Sequence, residues 1–342
     1  MANYTLANLV KAQAKLNGVF ASAEKRFRTP ETFLSYLNGS RDFFPNFDAL
    51  RVREDRALEA NYLKRTARSL TNARTHNHSG NHGDSGVLTP SFTTYTDKFA
   101  LTVKQADNSV FAAVEEYNDK IVNVFANFAE GLESVAVNHA FANRSGVNSA
   151  VVEGTFNATN DAFEITDSTH GNRAIQITNI VMDINKYSKN PLVIVCDSIA
   201  YNKFQYLANQ GVSNATNTSF QFNGVRFVHA PALYALAVAL DATYTKGFWL
   251  AIPEGTIGAL PWIPQQNRSG LVTSVNMYGS LLNPVDGLQY GVHMYETRAD
   301  GSAVNGSTQD VLTEVEVSID IALEKAPLSV AGETSIFAFA LK

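Results

Sequence analysis

A chain of 342 residues is too long for one undivided hydrophobic core, and its 45% hydrophobic and 11% aromatic content excludes global disorder, so two lobes, or one lobe with extensions, are expected. A single cysteine, Cys196, excludes an intrachain disulfide and fits assembly in a reducing cytoplasm; its setting, LVIVC, marks a buried and inert thiol. The net charge of −5 hides an asymmetry, because residues 1–75 hold 13 Lys and Arg against 7 Asp and Glu while the remainder holds 14 against 25. A basic first quarter of this kind can face nucleic acid, or can be a solvated helical face in which Glu54, Asp55 and Glu59 are interspersed.

Taken in order, residues 5–27 read as a first helix, with Leu6, Leu9, Val10, Leu16 and Phe20 on one side. Residues 31–50 mix aromatics with Gly39, Pro45 and turn-forming Asn and Asp, the texture of an irregular arm lying on a surface. Residues 49–70 return to helical spacing and carry the densest basic segment: Arg51, Arg53, Arg56, Lys64, Arg65 and Arg68. Residues 71–90 form an exposed polar loop. Residues 91–103 alternate Phe92, Thr94 and Thr96, then change phase to Phe99, Leu101 and Val103, which predicts a bulged or bent strand.

The strand leads into the chain's longest signal, residues 109–141, which contain no proline. Val110, Val114, Tyr117, Ile121, Val124, Phe125, Phe128, Leu132 and Val135 recur at three- and four-residue spacing and so share one side of a helix. Glu115, Glu116, Asp119, Lys120, Asn127, Glu130 and Glu133 fall largely between them, predicting a solvated opposite side and excluding a membrane span. Asn108 or Ser109 is the expected N-cap, and residues 143–146 the stop. At 1.5 Å per residue the helix is roughly 50 Å long, a length suited to scaffolding.

Beyond residue 146 the elements shorten, which places a lobe boundary at residues 146–155. Residues 176–182 fit helix or strand. Residues 192–196, 225–228 and 248–252 read as strands alternating with helices at 198–210 and 232–240. Residues 253–264, punctuated by Pro253, Gly255, Gly258, Pro261 and Pro264, read as turns, and strand resumes at 288–295. Val311, Thr313, Val315, Val317, Ile319, Ile321 and Leu323 give the clearest period of two, predicting a long half-buried strand; the terminal run IFAFAL is expected to join the same sheet.

Chemistry is thinly signalled. His76, His78, His82 and Asp84 are the metal-ligand types closest together, but their glycine-rich loop would lose entropy in closing around an ion, whereas zinc sites fix their ligands on helices or tight knuckles. His139 and His229 read as packed or surface histidines. There is no GxSxG, P-loop, dinucleotide fingerprint or HExxH; Asp197, Ser198 and a distant His are triad material of a kind almost any chain this size contains. No catalytic, cofactor-binding or metal residue is assigned, and no enzyme activity is expected.

The order of basic arm, polar loop on an extended strand, very long helix, mixed lobe and final long strand resembles the major capsid proteins of tailed double-stranded DNA bacteriophages, which have the α+β Hong Kong 97-type fold. Local phrasing is similar too, notably HNHSGNHGDSGVLTPSFTTYTDKF, NPLVIVCDSIAYNKFQYLANQG, GTIGALPWIPQQNRSG and VEVSIDIALEKAPLSVAGETSIFAFALK, closest in texture to phages of Bacteroidetes-type hosts. The resemblance implies an N-terminal arm at 1–50, an extended loop with its supporting segment at 51–105, and the spine helix of a peripheral domain at 106–150. It further implies an axial domain at 151–300 and a return to the peripheral sheet at 301–342. It implies a virion shell of hexamers and pentamers, assembled in the host cytoplasm around double-stranded DNA that is contacted non-specifically. A portal and decoration proteins are further partners, and no membrane is involved. An arm of about 50 residues is shorter than the cleaved extensions of relatives that scaffold themselves, so a separate scaffolding protein is implied. Neither Lys98 nor Lys104 identifies an isopeptide pair of the kind some relatives form. Phe33, Tyr36, Phe43, Phe44 and Phe47 are expected to pack across a neighbouring subunit. The alternatives are an encapsulin-like nonviral shell and a metal-dependent hydrolase using the histidine loop.

Overall fold

The structure is a computed structural model that describes residues 33–39, 43–44, 47–54, 56, 59–64, 70, 72, 74, 84–102, 113–145, 153–185, 192–209, 221–222, 225–283, 286–299, 310–327 and 336–342. The chain opens with two short helices, α1 (Phe33–Gly39) and α2 (Phe47–Arg51), then a hairpin of β1 (Ala60–Lys64) and β2 (Asp84–Leu88), then β3 (Phe92–Thr102) and the long helix α3 (Ala113–Ala142). There follow β4 (Thr155–Asn157), β5 (Ala162–Ile165), α4 (Asp167–His170), α5 (Ala174–Ile184), β6 (Leu192–Cys196) and α6 (Ser198–Asn209). Next come β7 (Gln221–Phe222), β8 (Val225–His229), α7 (Ala232–Leu240), β9 (Phe248–Pro253), β10 (Ile257–Trp262) and α8 (Gln265–Ser269). The chain closes with β11 (Asn276–Leu282), β12 (Gln289–Ala299), β13 (Asp310–Lys325) and β14 (Phe337–Leu341). The helix predicted at 5–27, the proposed caps Asn108 and Ser109, and the side chains of Val110 and Val114 lie outside the described residues.

Helix α3 runs unbroken for 30 residues. Tyr117, Ile121, Val124, Phe125, Phe128 and Leu132 are all buried, while Val135 is half-exposed and Asp119, Asn127 and Glu130 face out. The helix ends where expected: the Asn143 amide and side chain donate to the His139 carbonyl at 3.2 and 2.9 Å, and the Arg144 guanidinium donates to the Phe141 carbonyl at 2.8 Å, a cation at the helix's negative end. The buried stripe rests on two sheets in succession. Tyr117 packs on Phe99, Phe125 and Phe128 on Tyr290, and Phe141 on Phe248, with ring centroids 4.7 to 5.7 Å apart. One apolar cluster therefore contains residues of both sheets, so the two expected lobes share a core through this helix. No helix among the described residues is long and apolar enough to cross a membrane.

The first sheet is built on β13, with β3 along one side and β12 and β10 sharing the other; β11 lies outside β12. Val315, Val317, Ile319 and Ile321 point to α3, and Glu314, Glu316 and Ser318 point away, as the period of two requires. The ladder from Leu312↔Thr102 to Ala322↔Phe92 is unbroken, so the predicted bulge in β3 is absent. The change of phase has another cause: Phe99 and Leu101 face α3, whereas Phe92 faces the opposite side and packs beside Phe44 and Phe47. The predicted turn passage contains a strand, β10. Pro261 has no N–H to offer, and β10 tolerates it because its far edge has no partner strand among the described residues.

The second sheet has the order β4-β5-β14-β9-β6-β8-β7, with β14–β5 and β6–β8 parallel and the rest antiparallel. Strands β6 and β14 are buried throughout: Val193, Val195, Ala338 and Ala340 face the α3 side, while Leu192, Ile194, Phe337 and Phe339 face a second cluster under α5 and α6. Cys196 is buried as expected, and burial raises its thiol pKa. The terminal IFAFAL does not join the sheet of β13. A strand apolar on both faces needs cover on both, and the second sheet supplies it, with the α3 cluster on one face of β14 and the α5 and α6 cluster on the other. Residues 176–182 prove helical, within α5.

Candidate functional site

The arm aromatics do not wait for a neighbour. Phe33, Tyr36, Phe44 and Phe47 are buried against this chain's own body, which corrects the expectation that they pack across another subunit. Phe44 and Phe47 lie on Leu260 and Ala322, on the side of the first sheet away from α3. A side chain at Gly258 would meet the Phe43 ring at 2.6 Å, so glycine is what lets the arm lie this close. Glu133, predicted on the solvated side of α3, is buried, and its two carboxylate oxygens accept from the amides of Phe33 and Leu34 at 3.0 and 2.8 Å.

Residues 49–70 are not a continuous helix: α2 ends at Arg51 and the chain extends into β1. Here side chains alternate, Ala60 and Tyr62 inward, Asn61 and Leu63 outward, and pairing with β2 satisfies the backbone that a helix would otherwise have satisfied. The root of this hairpin is pinned. Arg268 donates to the carbonyls of Arg51 and Arg53 at 3.1 and 2.8 Å, and the Trp262 indole donates to the Arg53 carbonyl at 3.0 Å. Arg56 and Arg268 both lie within 6 Å of the Trp262 ring, and Arg56 also pairs with Asp320 at 3.3 Å. The returning leg is held at Ser91, whose amide donates to Glu324 at 3.0 Å. Trp262 sits within the passage read as turns and Arg268 just beyond it; once β10 is missed, nothing in the residue types alone directs them at the root of the hairpin.

Beyond that root the described outward apolar residues of the hairpin are bare. Leu63 is 86% exposed and Val87 54%, and a two-stranded hairpin with an open apolar face has little stability of its own. The body carries a matching surface: on the side of the first sheet away from α3, Glu314 and Glu316 lie beside the stacked rings of Tyr278, His293 and Tyr295. Lys98 pairs there with Glu316 at 3.0 Å, and the Tyr295 hydroxyl donates to Glu314.

The triad candidates do not assemble. Ser198 Oγ does meet His229 Nε2, at 2.9 Å, but Asp197 turns away to cap α6, accepting from the amides of Ala200 and Phe248 at 2.7 and 2.9 Å. Cavities of about 290 and 370 Å³ flank Trp262 and are not lined by Ser198 or His229. His139 is half-buried in α3, where burial lowers its pKa. His76, His78 and His82 lie outside the described residues, and Asp84 is the first residue of β2.

Two buried carboxylates give a measurable signature. Burial pushes Asp197 up to about 6 against the pull of its backbone donors, and does the same to Asp286, which accepts from Tyr290, Leu288 and Asn283. The folded state then holds these protons more tightly than the unfolded chain, so stability falls as pH rises from about 4 to about 6, by on the order of 1 to 3 kcal/mol per group. Glu164 and Asp241 are lowered instead, and their contribution is lost only as pH falls below the ordinary carboxylate range. Urea midpoints at pH 4.5, 5.5 and 7 test this; a midpoint that rises across the series contradicts it.

No family model and no curated protein matches the sequence. By structure the chain is similar to the Cyanophage Pam1 capsid asymmetric unit, with a TM-score of 0.51 and 11% identity over 85% of this chain and 86% of that one. It is also similar to a structure of Mycobacterium phage Che8, at TM-score 0.47 and 9% identity over 86% and 90% of the two chains. A third is the asymmetric unit of the bacteriophage PhiM1 mature capsid, at 0.45 and 12% over 83% and 82%. At such identities the Pam1 likeness is one of fold.

Proposed function

We propose that this chain, which has the Hong Kong 97-type α+β fold, is the major capsid protein of a tailed double-stranded DNA bacteriophage and has a structural, non-enzymatic role. The observation that carries the reading is the pinned hairpin: its root is fixed by five polar contacts while its outer apolar residues, Leu63 and Val87, have no cover of their own. A surface of that kind is completed by another copy. The basic hairpin of one subunit lies across the Glu314 and Glu316 face of the next, and the repeated heterologous contact closes into rings of six and five.

In this reading α3, β3 and β10 to β13 form the peripheral domain and the seven-stranded sheet the axial domain. The range 151–300 is then divided between them, and 301–342 likewise, since β13 and β14 belong to different sheets. Basic residues of the first quarter of the chain contact packaged DNA non-specifically, apart from Arg56, whose charge is met at home. Partners are copies of the chain, a separate scaffolding protein and a portal; decoration proteins would bind the outer face. The site of action is the virion, after assembly in the host cytoplasm.

Expression with and without a scaffolding partner, followed by electron microscopy and assay of nuclease-protected nucleic acid, tests the proposal. Closed icosahedral particles are expected, filled with DNA only when packaging components are present. A monomer or small oligomer under all conditions sinks it, and particles closing around a protein cargo instead of DNA would support the encapsulin-like reading.

A further inference from the structure

We infer that α1 is a detachable wedge that sets the angle between the two sheets, and that Glu133 is the residue that seats it. The inference rests on the shell reading above for its purpose but on the subunit alone for its physics. All four apolar side chains described in α1, those of Phe33, Leu34, Tyr36 and Leu37, are buried, and the helix touches α3, β10 of the first sheet and β8 of the second. On the β8 side the Arg226 guanidinium lies over the Tyr36 ring at 4.9 Å. Of the helices touching both sheets, α3 runs for 30 residues, whereas α1 has seven, about two turns, and is held from outside.

Seven residues are too few for a helix to persist alone, so the order of α1 comes from its seat. Glu133 supplies the specific part of that seat. A carboxylate among Leu132, Ala136 and Val137 would be costly if unpaired, and α3 has no need of it. Both of its oxygens instead take up free amides at the positive end of α1, a pair of charge-assisted bonds available in one position of the wedge only. Apolar packing alone would let α1 slide; the carboxylate fixes its register. A chain that must occupy both six-fold and five-fold rings has to accommodate two curvatures, and packed layers do so by small shear at the elements they share. With α1 seated the sheets move as one body. With α1 withdrawn, α3 and the short turn from β9 to β10 are left to join them.

The test compares wild type, Glu133→Gln and Glu133→Ala as full-length subunits by hydrogen exchange, with Tyr36→Ala as a second route to the same loosening. Exchange over residues 33–39 should speed up by about tenfold or more in Glu133→Ala, and by less in Glu133→Gln, which keeps one acceptor. Strands β6, β9 and β14 should be unaffected. Unchanged exchange at 33–39 overturns the seat, and acceleration spread evenly through those strands makes Glu133 merely a core residue. With a scaffold present, Glu133→Ala should give particles of mixed diameter, and uniform wild-type particles overturn the role in curvature. Wild type that forms no particles would sink the shell reading and leave the exchange result standing.

Discussion

Phe125→Asp should yield no folded subunit. Phe125 is fully buried at the middle of α3, its ring 5.5 Å from that of Tyr290, and its carbonyl accepts from the buried side chain of Asn283 at 3.3 Å. Truncation to Ala would cost roughly 3 to 5 kcal/mol in lost packing. A carboxylate adds desolvation with no cation beside it, against a total stability of about 5 to 15 kcal/mol. Both sheets depend on α3, so the damage does not stay local. Solubility and circular dichroism provide the measurement, with Phe125→Leu as the tolerated control; a soluble Phe125→Asp protein melting like wild type would show that the stripe is not the shared core.

Removing the hairpin should do the opposite, sparing the fold and abolishing the particle. Ala60 and Leu88 are partners at its base, so residues 61–87 can be replaced by a two-residue Asn-Gly turn without displacing either leg. The contacts of Trp262, Arg268, Arg56 and Ser91 all lie on the body side of that cut and are retained. Since none of the outer hairpin's described side chains is buried, the melting temperature should stay within a few degrees. No closed shells should be seen by electron microscopy. Normal shells from this variant would remove the hairpin from the assembly argument, and an unfolded body would show that it belongs to the core.

The same contrast explains what the amino-acid order disclosed. The stripe of α3 and the alternation of β13 were legible because each is a long period enforced by one apolar neighbour. The first leg of the hairpin reads as helix because Leu58, Tyr62 and Leu63 keep helical spacing, and the second leg reads as polar loop; what selects strand is their pairing with each other, across two dozen residues. Glu133 was placed outside for a related reason: its residue type implies water, and only the distant amides of Phe33 and Leu34 make burial tolerable. Pro261 and Gly258 suggested turns, although one occupies an edge strand and the other makes room for Phe43. The Ser198–His229 contact was foreseeable as residue types, but the direction of Asp197 was not, since capping and triad roles call for the same side chain.

The unbroken β3–β13 ladder has a mechanical consequence. Strand β3 begins four residues after β2 ends, so a pull on the hairpin is delivered along the length of β3. Eleven residue pairs then bear the load together in shear, whereas the same ladder peeled from one end would yield rung by rung. In a shell inflated by its contents the tension between subunits would meet the protein along its stiff axis. The hairpin itself, two strands with no third among the described residues, is the compliant member in that series and would stretch first.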